Sequence, residues 1–475
     1  MTRLGANFAA CVLIASAVSC GGRGAPDLEG YWEGSISVPG MEIGIAVEFR
    51  GSGDSLEAFI DIPDQGAEDL PLTGVRQAGD SISFQLESGL GLASFHGIAS
   101  GDSMIGSFSQ GAFAGGFELL RTAPPEAPVL PYRSEAVTIQ CDGYVISGTL
   151  TLPEGGGPFP GVVLLSGSGL QDRDETVFGF KVFGVLADSL TRNGIAVLRC
   201  DDRGIGGSTG DPGGLTDQIM AQDALAMFDY MTGREEIARD RVGFLGHSEG
   251  SSIAFLAASM RPAGEVAFVI AMAGPSVRGY EILLSQIEII SRQQGLSEER
   301  IAEALDAQRR VMDVVVEGGD VSVLWDFMRE QARKDLEGLT PEVLASLGDT
   351  AAFLDNAVAQ SLMTIGSEWF HRFVTHDPAG EIGMAECPVL ALYGGKDVQV
   401  APALNEQPMR DALAGNPGGT VEVFPGANHL FQPAGTGAVS EYAGLPREFV
   451  PGFTGRISSW ILETTGGAGA AGSAP

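Results

Sequence analysis

The five residues Gly246-His247-Ser248-Glu249-Gly250 fit the pattern G-x-S-x-G. The apolar run Val242 to Leu245 precedes them, and the small and apolar run Ser251 to Ser259 follows. A strand that ends in a sharp turn and opens a helix lifts the central hydroxyl clear of a sheet, and flanking glycines let strand and helix crowd together there. Such a hydroxyl is a weak nucleophile near neutral pH and needs a base. The chain offers 5 histidines. His247 adjoins the serine and should point elsewhere on the turn, His96 lies in a distant β-rich region, and His371 and His376 close a helical block. His429, in a loop after the last apolar strand, is the base by position and elimination. An acid must fix its tautomer and stabilise its imidazolium. Asp397, at the end of VLALYGGKD, is the first candidate, ahead of Asp411 in a helical stretch and Glu422 in a strand. An oxyanion formed by attack on a carbonyl needs donors. The backbone N–H of Glu249 is one, and the loop Ser166-Gly167-Ser168-Gly169 supplies the other, on Ser168 or, one residue on, Gly169. Together these groups can carry out acyl transfer to a serine.

The segments that must position them alternate in character. GVVLLSG, IAVLRCD, RVGFLGHSEG, VAFVIAMAG, CPVLALYGGKD and TVEVFPGANH read as strands. FKVFGVLADSLTRNG, LTDQIMAQDALAMFDYMTG, SSIAFLAASM and FTGRISSWILETT read as helices. Strands apolar throughout, with helices between them, predict a mostly parallel sheet covered on both faces. VTIQCDGYVISGTLTLP reads as a leading hairpin. Between about 279 and 385 the strand signal gives way to helical periodicity, which predicts an inserted helical cap; SEER at 297–300 opens one of its helices with capping-box spacing. Late in this block Trp369, Phe370 and Phe373 either line an acyl pocket or form the cap's core. Asp172, Arg173 and Asp174 read as an ion-pair network in preference to a substrate-binding cluster.

Residues 27–121 instead alternate with period two, as in EIGIAVEF, where Ile43, Ile45, Val47 and Phe49 share a face. Seven or eight short strands and no helix predict a small all-β barrel or sandwich, with a structural or substrate-guiding role ahead of a catalytic one. His96 is expected at its surface or in its packing. Residues 122–134 are rich in proline and mark a semi-rigid linker. The α/β region follows over 135–464, and 465–475 form a flexible tail.

Residues 1–20 have the make-up of an export signal: Arg3, an apolar run from Phe8 to Val18 too short to span a bilayer, then small residues. AVSC followed by GG resembles the lipobox of bacterial lipoproteins, with Cys20 as the lipidated residue; the rival is plain secretion with cleavage after Ala15-Ser16-Ala17. The expected location is therefore outside the cytoplasm, membrane-anchored through Cys20 or else secreted or periplasmic. Beyond Cys11 and Cys20 only Cys141, Cys200 and Cys387 remain, which argues against a disulfide framework. Cys200 and Cys387 flank apolar runs and are expected as buried thiols. The formal net charge is -33, and a chain so acidic repels polyphosphate backbones, so no nucleic acid is expected as partner. Neither H-E-x-x-H, an EF-hand loop nor a dinucleotide or P-loop glycine pattern occurs, so neither metal nor cofactor is expected.

SGSGLQDRDE, IAVLRCDDRGIGGSTG, GFLGHSEG, CPVLALYGGKDVQV and GANHLFQPAGTG together resemble the bacterial α/β-hydrolase family related to serine aminopeptidases and exported esterases. The resemblance covers roughly 135–464. It implies an α/β-hydrolase fold with an inserted cap, the order nucleophile, acid, histidine for Ser248, Asp397 and His429, and a mostly structural role for CDDRGIGGS. It departs from the commonest pattern at Ser166, where many such hydrolases carry histidine. The expected function is a serine hydrolase acting on a small-molecule carboxylic ester through an acyl-enzyme. A peptidase or amidase of the same fold is the enzyme alternative, and a cell-surface binding protein with an inactive hydrolase domain the non-enzyme one.

Overall fold

The computed structural model describes residues 26–466 except 39–40, 64–66, 87–90, 112, 126–128, 338–343, 345–348 and 417. The export signal with Cys11 and Cys20, the centre of the proline-rich linker and the tail from 467 onward lie outside the described residues. Two compact units divide between residues 127 and 128.

The first unit is one antiparallel sheet of nine strands that curls in barrel-like fashion. Its spatial order starts at the edge strand Ala67–Pro71, runs back through Glu57–Ile62 and Met41–Arg50 to Gly30–Val38, then crosses to Phe113–Thr122 and returns to the other edge at Thr73–Ala78. One sheet rather than two decides between barrel and sandwich. The period-two face is buried as expected: Ile45, Val47 and Phe49 join Trp32, Phe84, Phe95 and Phe117 in a single core, with Ile43 packed against it. There are more strands than the seven or eight expected, because Ala67–Pro71 has no apolar alternation to announce it. His96 is exposed.

The second unit holds an eight-stranded sheet. In chain order its strands are β1 (Tyr132–Gln140), β2 (Val145–Pro153), β3 (Phe159–Leu165), β4 (Ala196–Cys200), β5 (Ile237–His247), β6 (Val269–Met272), β7 (Val389–Gly394) and β8 (Thr420–Phe424). Their spatial order is β1-β2-β4-β3-β5-β6-β7-β8, antiparallel over β1-β2-β4 and parallel from β4 onward. Alternate residues of the central strands point to opposite faces. Val163, Phe244, Val269 and Ala391 face one core, which also holds Ala224 and Phe228 of helix α2 (Asp217–Thr232) and Ile253 and Ala254 of helix α3 (Glu249–Ser259). Val162, Leu245, Ile270 and Leu390 face the other, with Phe183, Leu186 and Leu190 of helix α1 (Val182–Arg192) and Phe453, Ile457 and Ile461 of the C-terminal helix Phe453–Thr464. Both faces are thus covered, which is why these strands read as unbroken apolar runs.

Between β6 and β7 the chain leaves the sheet to form the helical cap. Helices at Gly279–Gln293, Glu298–Val316, Trp325–Leu336, Thr350–Ile365 and Glu368–Thr375 contribute to a separate core around Met312, Val315, Leu324, Phe370 and Val374. Ser297 caps the second of these helices, its hydroxyl accepting from the Arg300 N–H at 3.3 Å. The position a capping box reserves for Glu or Gln holds Arg300, so the reciprocal bond expected from SEER is absent. Cys387 is buried; Cys200, at the end of β4, keeps part of its surface like Cys141, although burial pushes its thiol's pKa up.

Candidate active site

Ser248 stands between β5 and α3 with φ 52° and ψ −120°, a conformation that costs a non-glycine residue on the order of 1–3 kcal/mol. The turn is over-determined. The Ser248 N–H donates to the Met272 carbonyl at 2.8 Å and its own carbonyl accepts from Ser251 N–H at 3.0 Å. A Cβ on Gly246 would lie 2.0 Å from the Gly250 carbonyl oxygen, and one on Gly250 would lie 2.2 Å from that of Leu165. Both glycines are therefore required by close backbone approach, and the strained turn exposes the serine hydroxyl at the C-terminal edge of the sheet.

His429 follows β8 in a loop shaped by Asn428, whose fully buried amide oxygen accepts from the Leu430 and Gln432 N–H groups at 3.0 and 2.9 Å. Its Nδ1 lies 2.7 Å from Asp397 Oδ2. The other carboxylate oxygen of Asp397 accepts from the backbone N–H groups of Gln399 and Val400 at 2.7 and 2.9 Å. A buried carboxylate so supplied with donors is held in one orientation. Asp411 accepts from Gln407 on its own helix and Glu422 pairs with Arg456, so neither competes for the histidine.

Ser248, His429, Glu249 and Ser168 line one cavity of about 130 Å³ at this sheet edge. Glu249 opens α3, where a backbone N–H has no acceptor within the helix. Ser168 follows β3 on the loop predicted to face it. That loop is held from two sides. Asp202 accepts from the Ser166 hydroxyl at 3.0 Å and from the Gln171 N–H at 2.8 Å, while Glu175 accepts from the Gly167 N–H at 2.7 Å. Ser166 thus anchors the loop to β4's end in the place where many hydrolases carry histidine. Burial pushes the Asp202 carboxyl up to about 6, although the Gln171 and Ser166 bonds oppose it.

The cap closes the cavity with Ile282, Trp369, Phe373, Arg372 and His376. Trp369 and Phe373 stack with ring centroids 5.6 Å apart and line the cavity, while Phe370 is buried in the cap's core, so the trio divides between cavity wall and core. Trp369 Nε1–H donates to the Glu249 carboxylate at 2.6 Å. Burial pushes the Glu249 carboxyl up to about 7; the Trp369 bond lowers it, and Asp217 and Asp202 raise it further. Arg372 pairs with Asp217, and His376 Nε2 lies 3.1 Å from Glu381. Arg372 and His376 are not marked in the sequence because nothing local tells which face a cap helix turns toward a distant serine, and Asp217, at the start of α2, because nothing local places that helix's first turn at the cavity.

The remaining motif residues are structural. Arg173 pairs with Asp201 at 2.5 Å, Arg199 with Asp174 at 2.6 Å, and Arg203 with Asp223 at 2.6 Å. Asp172 accepts from the Asp174 and Thr176 N–H groups, completing a turn. Among the described residues no group of three or more His, Cys, Asp and Glu side chains is placed to hold a metal ion.

Residues 180–298, which include the elbow, match the family model for serine aminopeptidase, S33. With the sheet order above, that match identifies the fold. The second unit has the α/β-hydrolase fold. Over 286 residues the chain is 27% identical to the esterase EstD of Thermotoga maritima, covering 60% of this chain and 58% of the relative. An uncharacterised protein of Mycobacterium tuberculosis is 30% identical over 139 residues, 29% of this chain and 46% of its own. The chain thus spans about half of the length of these relatives. Solved structures similar to it include a Pyrococcus furiosus esterase, at 16% identity and TM-score 0.43 over 72% of this chain and 95% of that one. A proline iminopeptidase of Mycobacterium smegmatis is similar at 16% identity and TM-score 0.44, over 70% and 99%.

Proposed function

We propose that the protein is an exported serine hydrolase that cleaves carboxylic esters through a Ser248-His429-Asp397 triad. The observation that carries the reading is the strained Ser248 in one cavity with His429, whose other ring nitrogen is held by a fully hydrogen-bonded Asp397. In this mechanism Ser248 Oγ attacks the ester carbonyl carbon while His429 Nε2 takes its proton. The Glu249 and Ser168 N–H groups stabilise the oxyanion. His429 then gives the proton to the leaving alkoxide. Water, deprotonated by His429, attacks the acyl-enzyme and releases the acid and Ser248. Asp397 stabilises the imidazolium in both halves without itself taking the proton.

The cap's Trp369, Phe373 and Ile282 favour an apolar acyl or alcohol group. The similarity to an esterase supports the same class. One feature favours a second reading: the Glu249 carboxylate lies in the cavity and can accept from a substrate ammonium, as an aminopeptidase would require. Turnover of p-nitrophenyl acetate and butyrate set against aminoacyl-arylamides separates the two. The esterase reading predicts turnover of the esters alone; turnover of the arylamides with inert esters would replace it. Export, with a lipid on Cys20, is proposed from the sequence of residues 1–20, and the mass of the mature N-terminus tests it.

A further inference from the structure

His247 and Glu175 take no part in the chemistry just described, yet both are buried beside it, with side chains 4% and 2% exposed. His247 Nδ1 lies 2.7 Å from Glu175 Oε1, and its Nε2 lies 3.1 Å from the backbone carbonyl oxygen of His429. The two imidazole rings are 4.7 Å apart between centroids. The same Glu175 oxygen accepts from the Gly167 N–H at 2.7 Å. Glu175 reaches this point from a turn in which its own φ is +48°, unusual for a non-glycine residue.

These contacts fix the proton count. A carbonyl only accepts, so His247 Nε2 carries a hydrogen. One more proton lies between Nδ1 and Oε1; Oε1 also accepts from the Gly167 N–H, and with donors on both sides of that oxygen the geometry assigns the shared proton to Nδ1. We propose that Glu175 and His247 are positioning residues: a buried imidazolium–carboxylate pair, without net charge, that ties the oxyanion loop, the residue before the nucleophile and the backbone of the catalytic base to one another. The inference rests on the hydrolase reading for what is being positioned, not for the pair itself.

Electrostatics agree with the geometry. Burial opposes a charge on His247, but the Glu175 carboxylate, its hydrogen bond and the His429 carbonyl outweigh it, with Asp397 adding to them, and hold the His247 pKa above its ordinary value. Asp202 is the other carboxylate that feels Glu175. A net-neutral pair leaves the imidazolium that forms on His429 unopposed, which a lone buried cation would not. The approach is tight: a Cβ on Gly167 would lie 3.1 Å from Glu175 Oε1 and 3.3 Å from the Ser248 Cβ. A neutral amide cannot replace the carboxylate. If its oxygen accepts from Gly167 and from Nδ1–H, a neutral His247 presents a bare Nε2 to the His429 carbonyl. If its nitrogen donates to Nδ1, that nitrogen occupies the site that accepts from Gly167.

The test uses the full chain, with Glu175→Gln, His247→Gln and the double variant. In Glu175→Gln, kcat for p-nitrophenyl butyrate should fall about 100-fold with KM within about threefold, since misplacement acts on the transition state more than on binding. The double variant should be no slower than the slower single variant. Histidine 15N NMR of the wild type should show one imidazole with both nitrogens protonated across about pH 6 to 9, the range in which an ordinary histidine loses one, and His247→Gln should remove it. A wild type in which no imidazole keeps both nitrogens protonated over that range would overturn the charged pair even if no variant folds or no ester is turned over. Wild-type kcat in Glu175→Gln would overturn the positioning role.

Discussion

Asp397 illustrates how much each oxygen of a buried carboxylate can be asked to hold. Oδ1 takes two backbone N–H groups and Oδ2 takes His429, so an amide at this position must turn its nitrogen toward a donor. Asp397→Asn is expected to lower kcat for p-nitrophenyl butyrate by about 10⁴-fold, by favouring the wrong histidine tautomer. Steady-state kinetics alongside thermal unfolding would check this; near-wild-type turnover would exclude Asp397 as the acid. Glu249 makes a different prediction. Its carboxyl is raised to about 7 by burial, so it is neutral below that pH and anionic above it. In the proposed mechanism an anion there would oppose the oxyanion bound by the same residue's N–H. The ratio of kcat/KM for Glu249→Gln over wild type on a neutral ester should therefore rise as pH passes about 7, and a flat ratio would contradict the assignment. The sign for stability follows from the same shift. The folded state holds this proton more tightly than the unfolded state, whose value is near 4.5. The resulting stabilisation is complete below about 4.5 and lost as pH rises through about 7. Glu249→Gln should thus raise the midpoint of thermal unfolding at pH 8 and leave it little changed at pH 4.5.

At the scale of elements, the elbow and the cap do separate work. The elbow depends on backbone contact, so Gly250→Ala, with its Cβ 2.2 Å from the Leu165 carbonyl oxygen, should cost on the order of 3 kcal/mol in urea unfolding and remove ester hydrolysis. The cap depends on side chains. Trp369→Ala opens the cavity and frees the Glu249 carboxylate, so kcat/KM for an octanoate ester relative to acetate should rise by about tenfold; an unchanged ratio would place the acyl chain elsewhere. The same division explains what could be read from the sequence. β3, β5, β6 and β7 were legible as apolar runs because both their faces are covered, and the elbow because its glycines are local. The Glu175–His247 pair was not, since it joins residues 72 apart through a turn at positive φ that no periodicity announces. Asp217 and His376 were missed for a related reason: they meet at the cavity from helices on either side of the elbow in sequence.

For the whole molecule, the useful fact is that each core draws on one unit. Trp32, Phe84 and Phe117 belong to a cluster confined to residues 28–119, while both faces of the eight-stranded sheet are covered by residues 137–461. Units with separate cores are expected to fold separately. A chain beginning at residue 129 should keep the proposed ester hydrolysis and a single cooperative unfolding transition; loss of both would make the β unit part of the second unit's fold. The charge of -33 acts at this scale too, and turnover of a cationic ester should fall with added salt more than that of a neutral one.

All of this depends on Ser248 being the atom that is acylated. The most direct measurement is labelling of the intact protein with a fluorophosphonate probe, followed by peptide mass spectrometry. The account predicts the adduct on Ser248, its absence in Ser248→Ala and much slower formation in His429→Ala. An adduct on another residue, or ester turnover retained by Ser248→Ala, would contradict it.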